Sequence, residues 1–185
     1  MPALKPASRS LFTRNTSVSS DELRDRLESL LQDWRKQGLP PRWTVEQTLR
    51  ELIAWRDEAG IAGLFSPAPR MFTATLDDGW GHGLEIIHLC AGAAGMEILH
   101  LGLLLSPESI MAACHENPPD FLGLTMLHSD SEPALLLIAE NLPAGARLVA
   151  GGPPFKWDPE LAERAHVHHV SASVADFLEL ILSLR

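Results

Sequence analysis

Two kinds of hydrophobic pattern divide the chain. Between residues 19 and 64 apolar positions recur at helical spacing: Leu23, Leu27, Leu30, Leu31 and Trp34 fall on one face, and Val45, Leu49, Leu52 and Ile53 make a second stripe. Ser19 with Glu22, and Thr44 with Gln47, have the spacing of capping boxes. Gly38-Leu39-Pro40-Pro41 separates the two helices, and the second runs to about Gly60. From Met71 the pattern changes to short apolar runs alternating with amphipathic stretches. These predict strands at about 71–76, 96–103, 121–126, 147–150 and 166–170. Helices are predicted over 84–94, over 106–115, from about 133, after Asp158 with Pro159 in the first helical position, and over 174–184. Gly95 stands where a helix cap needs positive φ.

Strand and helix in strict alternation call for a parallel sheet with helices on both faces, because right-handed crossovers must return over the sheet. The fold class is therefore α/β, a flavodoxin-like (Rossmann-like) five-stranded parallel sheet of order 2-1-3-4-5, preceded by a short helical segment. Residues 1–18, rich in Ser, Thr and Pro without a hydrophobic period, are expected to be a mobile tail. Residues 19–64 form the helical segment, Phe65-Ser66-Pro67-Ala68-Pro69 a stiff linker, and residues 70–185 the α/β domain. Two amphipathic helices cannot bury their own stripes, so the segment must cover the domain, a ligand face or a second copy in a homodimer.

In this topology the switch point lies between strands one and three. Loops 77–83 and 127–132 and the Gly151-Gly152 pair then share one edge, where a ligand is expected. The loop Asp77-Asp78-Gly79-Trp80-Gly81-His82-Gly83 excludes several ligands. Its paired acids suit a phosphoacceptor domain, but strand three ends Thr125-Met126-Leu127-His128 without an aspartate, and no lysine follows strand five. The same acids repel the phosphate of a flavin, and the glycine spacing is G-x-G-x-G rather than the dinucleotide fingerprint. Of the eight histidines, His82 and His128 lie in loops at the ligand edge and are the candidate metal ligands, whereas His88 and His100 fall away from it.

Asp78, Gly83, Gly95, Leu101-Gly102 and Pro107-Glu108 stand in the register of the D-x-H-x-x-G motif and its sequel in cobalamin-binding domains of the methionine-synthase and methylmalonyl-CoA-mutase type, which residues 70–185 resemble. Gly123-Leu124-Thr125-Met126-Leu127 is similar to that family's G-x-S-x-L, with Thr125 in the serine's place, and Gly151-Gly152 to its glycine pair. The resemblance implies cobalamin as cofactor. It implies contacts from Asp78, Trp80, Gly83, Thr125, Leu127, Gly151 and Gly152, with the nucleotide tail in a channel beside strands three and four. It also implies a helical cap, to which Trp34, Trp43 and Trp55 could contribute. One position departs from the family: its histidine, the lower ligand to cobalt, is Trp80 here, and indole has no lone pair to give a metal. Heme or a linear tetrapyrrole are the alternative ligands.

The expected function is a non-catalytic sensory or regulatory protein that binds cobalamin or a related tetrapyrrole and passes ligand state, light included, to a protein partner. The alternatives are a corrinoid carrier for methyl transfer, a heme-binding sensor, and a ligand-free interaction module. Charge narrows the partners. Residues 71–185 hold four Lys/Arg against fifteen Asp/Glu, so direct nucleic-acid binding by this part is not expected. The absence of a long apolar run or signal-peptide core argues against a membrane and for a cytoplasmic protein. Cys90 and Cys114 sit in helical patterns and read as buried thiols.

Overall fold

The computed structural model describes residues 19–184. The expectation of a mobile tail at 1–18 lies outside them. Two helices, α1 (Ser20–Gln37) and α2 (Arg42–Glu58), precede the α/β domain. The domain runs β1 (Arg70–Thr75), α3 (His82–Ala94), β2 (Glu97–Gly102), α4 (Pro107–Glu116), β3 (Phe121–Thr125), α5 (Glu132–Asn141), β4 (Arg147–Gly151), α6 (Pro154–Trp157), α7 (Leu161–Arg164), β5 (His169–Val170) and α8 (Val174–Ser183). All strand pairs are parallel and the order is 2-1-3-4-5, as the alternation predicts.

Side-chain alternation along the strands sorts the core into two halves. Phe72, Ala74, Leu122, Leu124 and Leu148 pack under α4 and α5 with Ile110, Cys114, Leu135 and Ile138. Met71, Phe121 and Val149 point to the opposite face, under α3 and α8. Outside α3 and α8 lies a third layer, the α1–α2 pair, with Leu23, Leu27 and Leu49 at 0% exposure. On α3 the approach is close at Gly92, where an added Cβ would meet the Ile53 side chain of α2 at 3.6 Å. Arginines tie the layers at the rim. Arg24 donates to the Leu182 carbonyl (3.0 Å), Arg56 to the Gly92 carbonyl, Arg35 to Asp176 (2.8 Å) and Arg42 to Glu85 (2.5 Å). Of the destinations open to the helical segment, the α/β domain of the same chain takes its stripes. Trp34 is buried in this interface, Trp55 lies beneath the Arg26 guanidinium at 3.9 Å, and Trp43 alone of the three is largely exposed.

Several local expectations change. Ser19 precedes α1, but its side chain makes no capping bond; Glu22 instead receives Arg26 at 3.0 Å. The second helix starts at Arg42 behind Pro41, two residues before Thr44, because Pro41 supplies an extended entry without a side-chain cap. Ser106 does cap α4, accepting from the Ser109 N–H, and Gly95 closes α3 at φ 81°. The fifth strand shortens to two residues because His166, at φ 48°, still belongs to the turn leaving α7. The helix foreseen after Asp158 begins only at Leu161; Asp158 instead folds back on the Glu160 N–H and Arg164. No helix among the described residues is long and apolar enough to cross a membrane.

Candidate functional site

The carboxyl ends of β1, β3 and β4 meet at one edge, and two adjacent aspartates organise the loops there. Asp77 accepts hydrogen bonds from the Leu127 N–H (2.6 Å), the His128 N–H (2.9 Å) and the Ser131 hydroxyl (2.7 Å), which pins the loop after β3 to the loop after β1. Asp78 turns inward at 5% exposure and accepts from the Trp80 N–H (2.8 Å) and the Gly81 N–H (3.1 Å), shaping the turn into α3. Thr75, fully buried, donates to the Asp78 carbonyl (2.5 Å) and accepts from the Leu104 N–H (2.9 Å), so the loop after β2 joins the same knot. Asp78 is held by local backbone donors and Asp77 by donors from the loop after β3, roles that their adjacency in sequence did not disclose.

Between α3 and α8, over β3 and β4, runs a cleft of about 480 Å³. Asp78, Gly83, Thr125, Leu127, Gly151 and Gly152 line it, six of the seven sequence-predicted cofactor residues. On its floor the Met71 side chain occupies the space that Gly123 leaves, and Leu84, Ile87, Val149 and Phe177 also line it. Gly83 has room: an added Cβ would find its nearest neighbour, the Thr125 methyl, at 4.0 Å. Gly151 has less, facing the Ser171 carbonyl at 2.7 Å. Gly152, at φ 126°, could take no side chain at all, because a Cβ would overlap the Met126 carbonyl oxygen. That glycine is required by the backbone itself, whatever fills the cleft.

Trp80, the seventh predicted residue, stands outside the cleft at 77% exposure, with its indole stacked on His82 at 6.0 Å between ring centroids. His82 and His128 are both exposed. His82 leans toward Glu85 at 3.8 Å, and the His128 backbone is held by Asp77. Among the described residues no group of three or more His, Cys, Asp or Glu has metal-holding geometry.

Sequence reasoning missed four contributors. Leu39, Pro40 and Arg42, from the corner between α1 and α2, form one wall; Arg42 is the only Lys or Arg lining the cleft among the described residues. Ser171, after β5, also lines it, and its hydroxyl is buried without a hydrogen-bond partner, as is the His169 Nε2 two residues earlier. A buried polar atom without a partner beside a cleft marks a place for a ligand's polar group or a water. The strand ending at β5 was readable, but the orphaned hydroxyl depends on which neighbours the fold withholds. The site therefore suits an elongated, largely apolar ligand group that meets hydroxyls at Thr125 and Ser171, with an exposed indole beside the mouth.

No protein-family model and no curated protein sequence matches the chain. Solved structures do. A cobalamin-binding protein from Desulfitobacterium hafniense DCB-2 superposes with a TM-score of 0.72 at 17% identity, over 87% of this chain and 78% of that one. The monomethylamine corrinoid protein of Methanosarcina barkeri gives 0.57 at 17% identity, over 91% and 85%. The methanol:cobalamin methyltransferase complex MtaBC from Methanosarcina barkeri gives 0.62 at 14% identity, over 89% of this chain and 66% of that one. The chain thus has the flavodoxin-like α/β fold of cobalamin-binding and corrinoid proteins.

Proposed function

We propose that this protein binds cobalamin or a related corrinoid at the carboxyl edge of its sheet and carries it for a methyl-transfer partner. The observation that carries this reading is the cleft of about 480 Å³, lined by Gly83, Thr125, Leu127, Gly151 and Gly152. Its depth and apolar walls suit the base of a nucleotide tail. Thr125 and the orphaned Ser171 hydroxyl offer that tail hydrogen bonds, while Arg42 at the wall is held by Glu46 and Glu85, both at 2.5 Å. The exposed face of Trp80 offers a stacking surface to a flat macrocycle. When bound, cobalamin supplies a cobalt centre that can accept and give up a methyl group. The chain's own residues bind and orient it. Position 80 offers that cobalt no ligand, because the indole nitrogen only donates.

The carrier role draws support from neighbours described as a corrinoid protein and a cobalamin methyltransferase complex. Neither heme, nor a linear tetrapyrrole, nor light sensing draws any. Trp80 itself favours a second reading, in which the cofactor is held without turnover by a regulatory protein. The test mixes the protein separately with hydroxocobalamin, heme and biliverdin, desalts, and records absorption spectra. Retention of cobalamin alone, at about one per chain, is expected. Failure to retain it would overturn the reading. Methyl transfer from a methylated corrinoid bound to the protein, assayed with a cobalamin-dependent methyltransferase, separates carrier from regulator.

A further inference from the structure

Away from the cleft, on the α3 side of the sheet, two histidines from different elements converge on one atom. His88 Nε2 of α3 lies 2.7 Å from the Thr73 hydroxyl oxygen, and His100 Nδ1 of β2 lies 3.2 Å from the same oxygen. Thr73 is fully buried in β1 and stands opposite His100 in the strand register, so both side chains share a sheet face onto which His88 reaches down. The imidazole centroids are 5.3 Å apart at 61°. Two imidazoles held by one tetrahedral ion, with metal–nitrogen bonds of about 2.0–2.1 Å, would have centroids roughly 5 Å apart. The pair already has nearly that separation, with both nitrogens directed at the Thr73 hydroxyl.

The surroundings suit an ion too. β2 is the edge strand and His100 is exposed, so solvent has a way in. Burial, and then the neighbouring His100, push the His88 pKa below 6.5, against a smaller opposing pull from Glu85 one turn away. Neutral imidazole is the form that ligates a metal. With only two nitrogen ligands, the remaining positions fall to the Thr73 hydroxyl and water. Imidazole-rich sites of this sort select zinc, copper or nickel over magnesium or calcium.

We propose that His88, His100 and Thr73 form a binding site for a divalent transition-metal ion of the zinc class, separate from the corrinoid cleft. A bound ion would staple α3, whose first turn lines the cleft, to the edge strand β2.

The test uses the full-length protein, free of corrinoid and stripped with chelator, titrated with zinc chloride by calorimetry and followed by thermal denaturation. One zinc per chain and a higher melting temperature are expected. His100→Ala, an exposed change that should leave the circular dichroism unaltered, should weaken binding at least tenfold and abolish the thermal shift. His115→Ala and His166→Ala, exposed elsewhere, should leave both unchanged. Absence of zinc binding, or binding that survives His100→Ala, would overturn the proposal. Because corrinoid is absent throughout, the outcome is independent of the cleft's ligand.

Discussion

The Asp77 carboxylate accepts the Leu127 N–H at 2.6 Å, which joins the loop after β1 to the loop after β3 across fifty residues of sequence. Two further donors, the His128 N–H and the Ser131 hydroxyl, close on the same side chain. A hydrogen bond to a charged group contributes about 1.5–3 kcal/mol, and three on one carboxylate are not additive. Asp77→Ala should therefore lower unfolding stability by about 2–4 kcal/mol in urea and speed loss of bound cobalamin, since Leu127 lines the cleft. Wild-type stability in the variant would show that the loops hold each other by other means.

Filling the cleft without straining the backbone is possible at Gly83. An added Cβ there meets nothing closer than the Thr125 methyl at 4.0 Å, and Gly83 lies in the first turn of α3, where leucine is tolerated. Gly83→Leu should abolish cobalamin retention while preserving the far-ultraviolet circular dichroism. Gly152→Val behaves differently: the collision with the Met126 carbonyl should reduce soluble folded protein before binding can be measured. If Gly83→Leu retains cobalamin as well as wild type, the tail does not pass residue 83.

Trp80 tests the face of the ligand. Its indole is exposed and stacked only on His82, so a macrocycle seated there should quench its fluorescence, with the quenching lost in Trp80→Phe relative to the other tryptophans' signal. Trp80→His restores an imidazole next to the turn that Asp78 shapes, and should shift the absorption spectrum of bound cobalamin toward histidine ligation. Superimposable spectra from wild type and Trp80→His would put residue 80 away from the cobalt.

The helical segment should prove inseparable from the domain. Leu49 is fully buried in the interface, and truncating such a leucine to alanine costs about 2–5 kcal/mol. Leu49→Ala is expected to fall in that range by chemical denaturation. Removing residues 1–68 uncovers the faces of α3 and α8 that α1 and α2 pack against, and light scattering should report aggregation rather than a clean monomer. A stable monomeric fragment would mean that the third layer is an accessory.

Acid should unfold the protein partly through His88. Its pKa is lower in the folded protein than the ordinary 6.5, owing first to burial and then to His100, with Glu85 opposing. The unfolded chain therefore binds the proton first, and stability falls as pH drops through 6.5, levelling off only below the folded pKa. His88→Gln should flatten this part of the pH–stability curve between pH 7 and 5. A curve as steep as wild type would assign the acid loss to other groups.

Most of the architecture was legible because its causes are local. Apolar runs of strand length alternating with helical stripes dictate a parallel sheet, and the handedness of crossovers then brings residues 78, 83, 125, 127, 151 and 152 to one edge, where the cleft lies. The capping boxes at Ser19 and Thr44 misled because spacing alone does not decide whether a side chain turns to the backbone; Glu22 found Arg26 instead.

What the tertiary structure alone decided depends on partners distant in sequence. An amphipathic stripe says that something covers Leu23 and Leu49, and only the docking of α1 and α2 on α3 and α8 says what. The paired acids gave no sign of what Asp77 holds, and only the sheet brings Leu127 and Ser131 across to occupy it. Gly152 lines the cleft and is besides a steric necessity against Met126, just after the neighbouring strand. His88 and His100, set aside as remote from the ligand edge, meet at Thr73 because β1 and β2 pair in that register. Periodicity encodes which face of an element is buried; which side chains then face one another is fixed by register and helix docking, and these are properties of the assembled sheet.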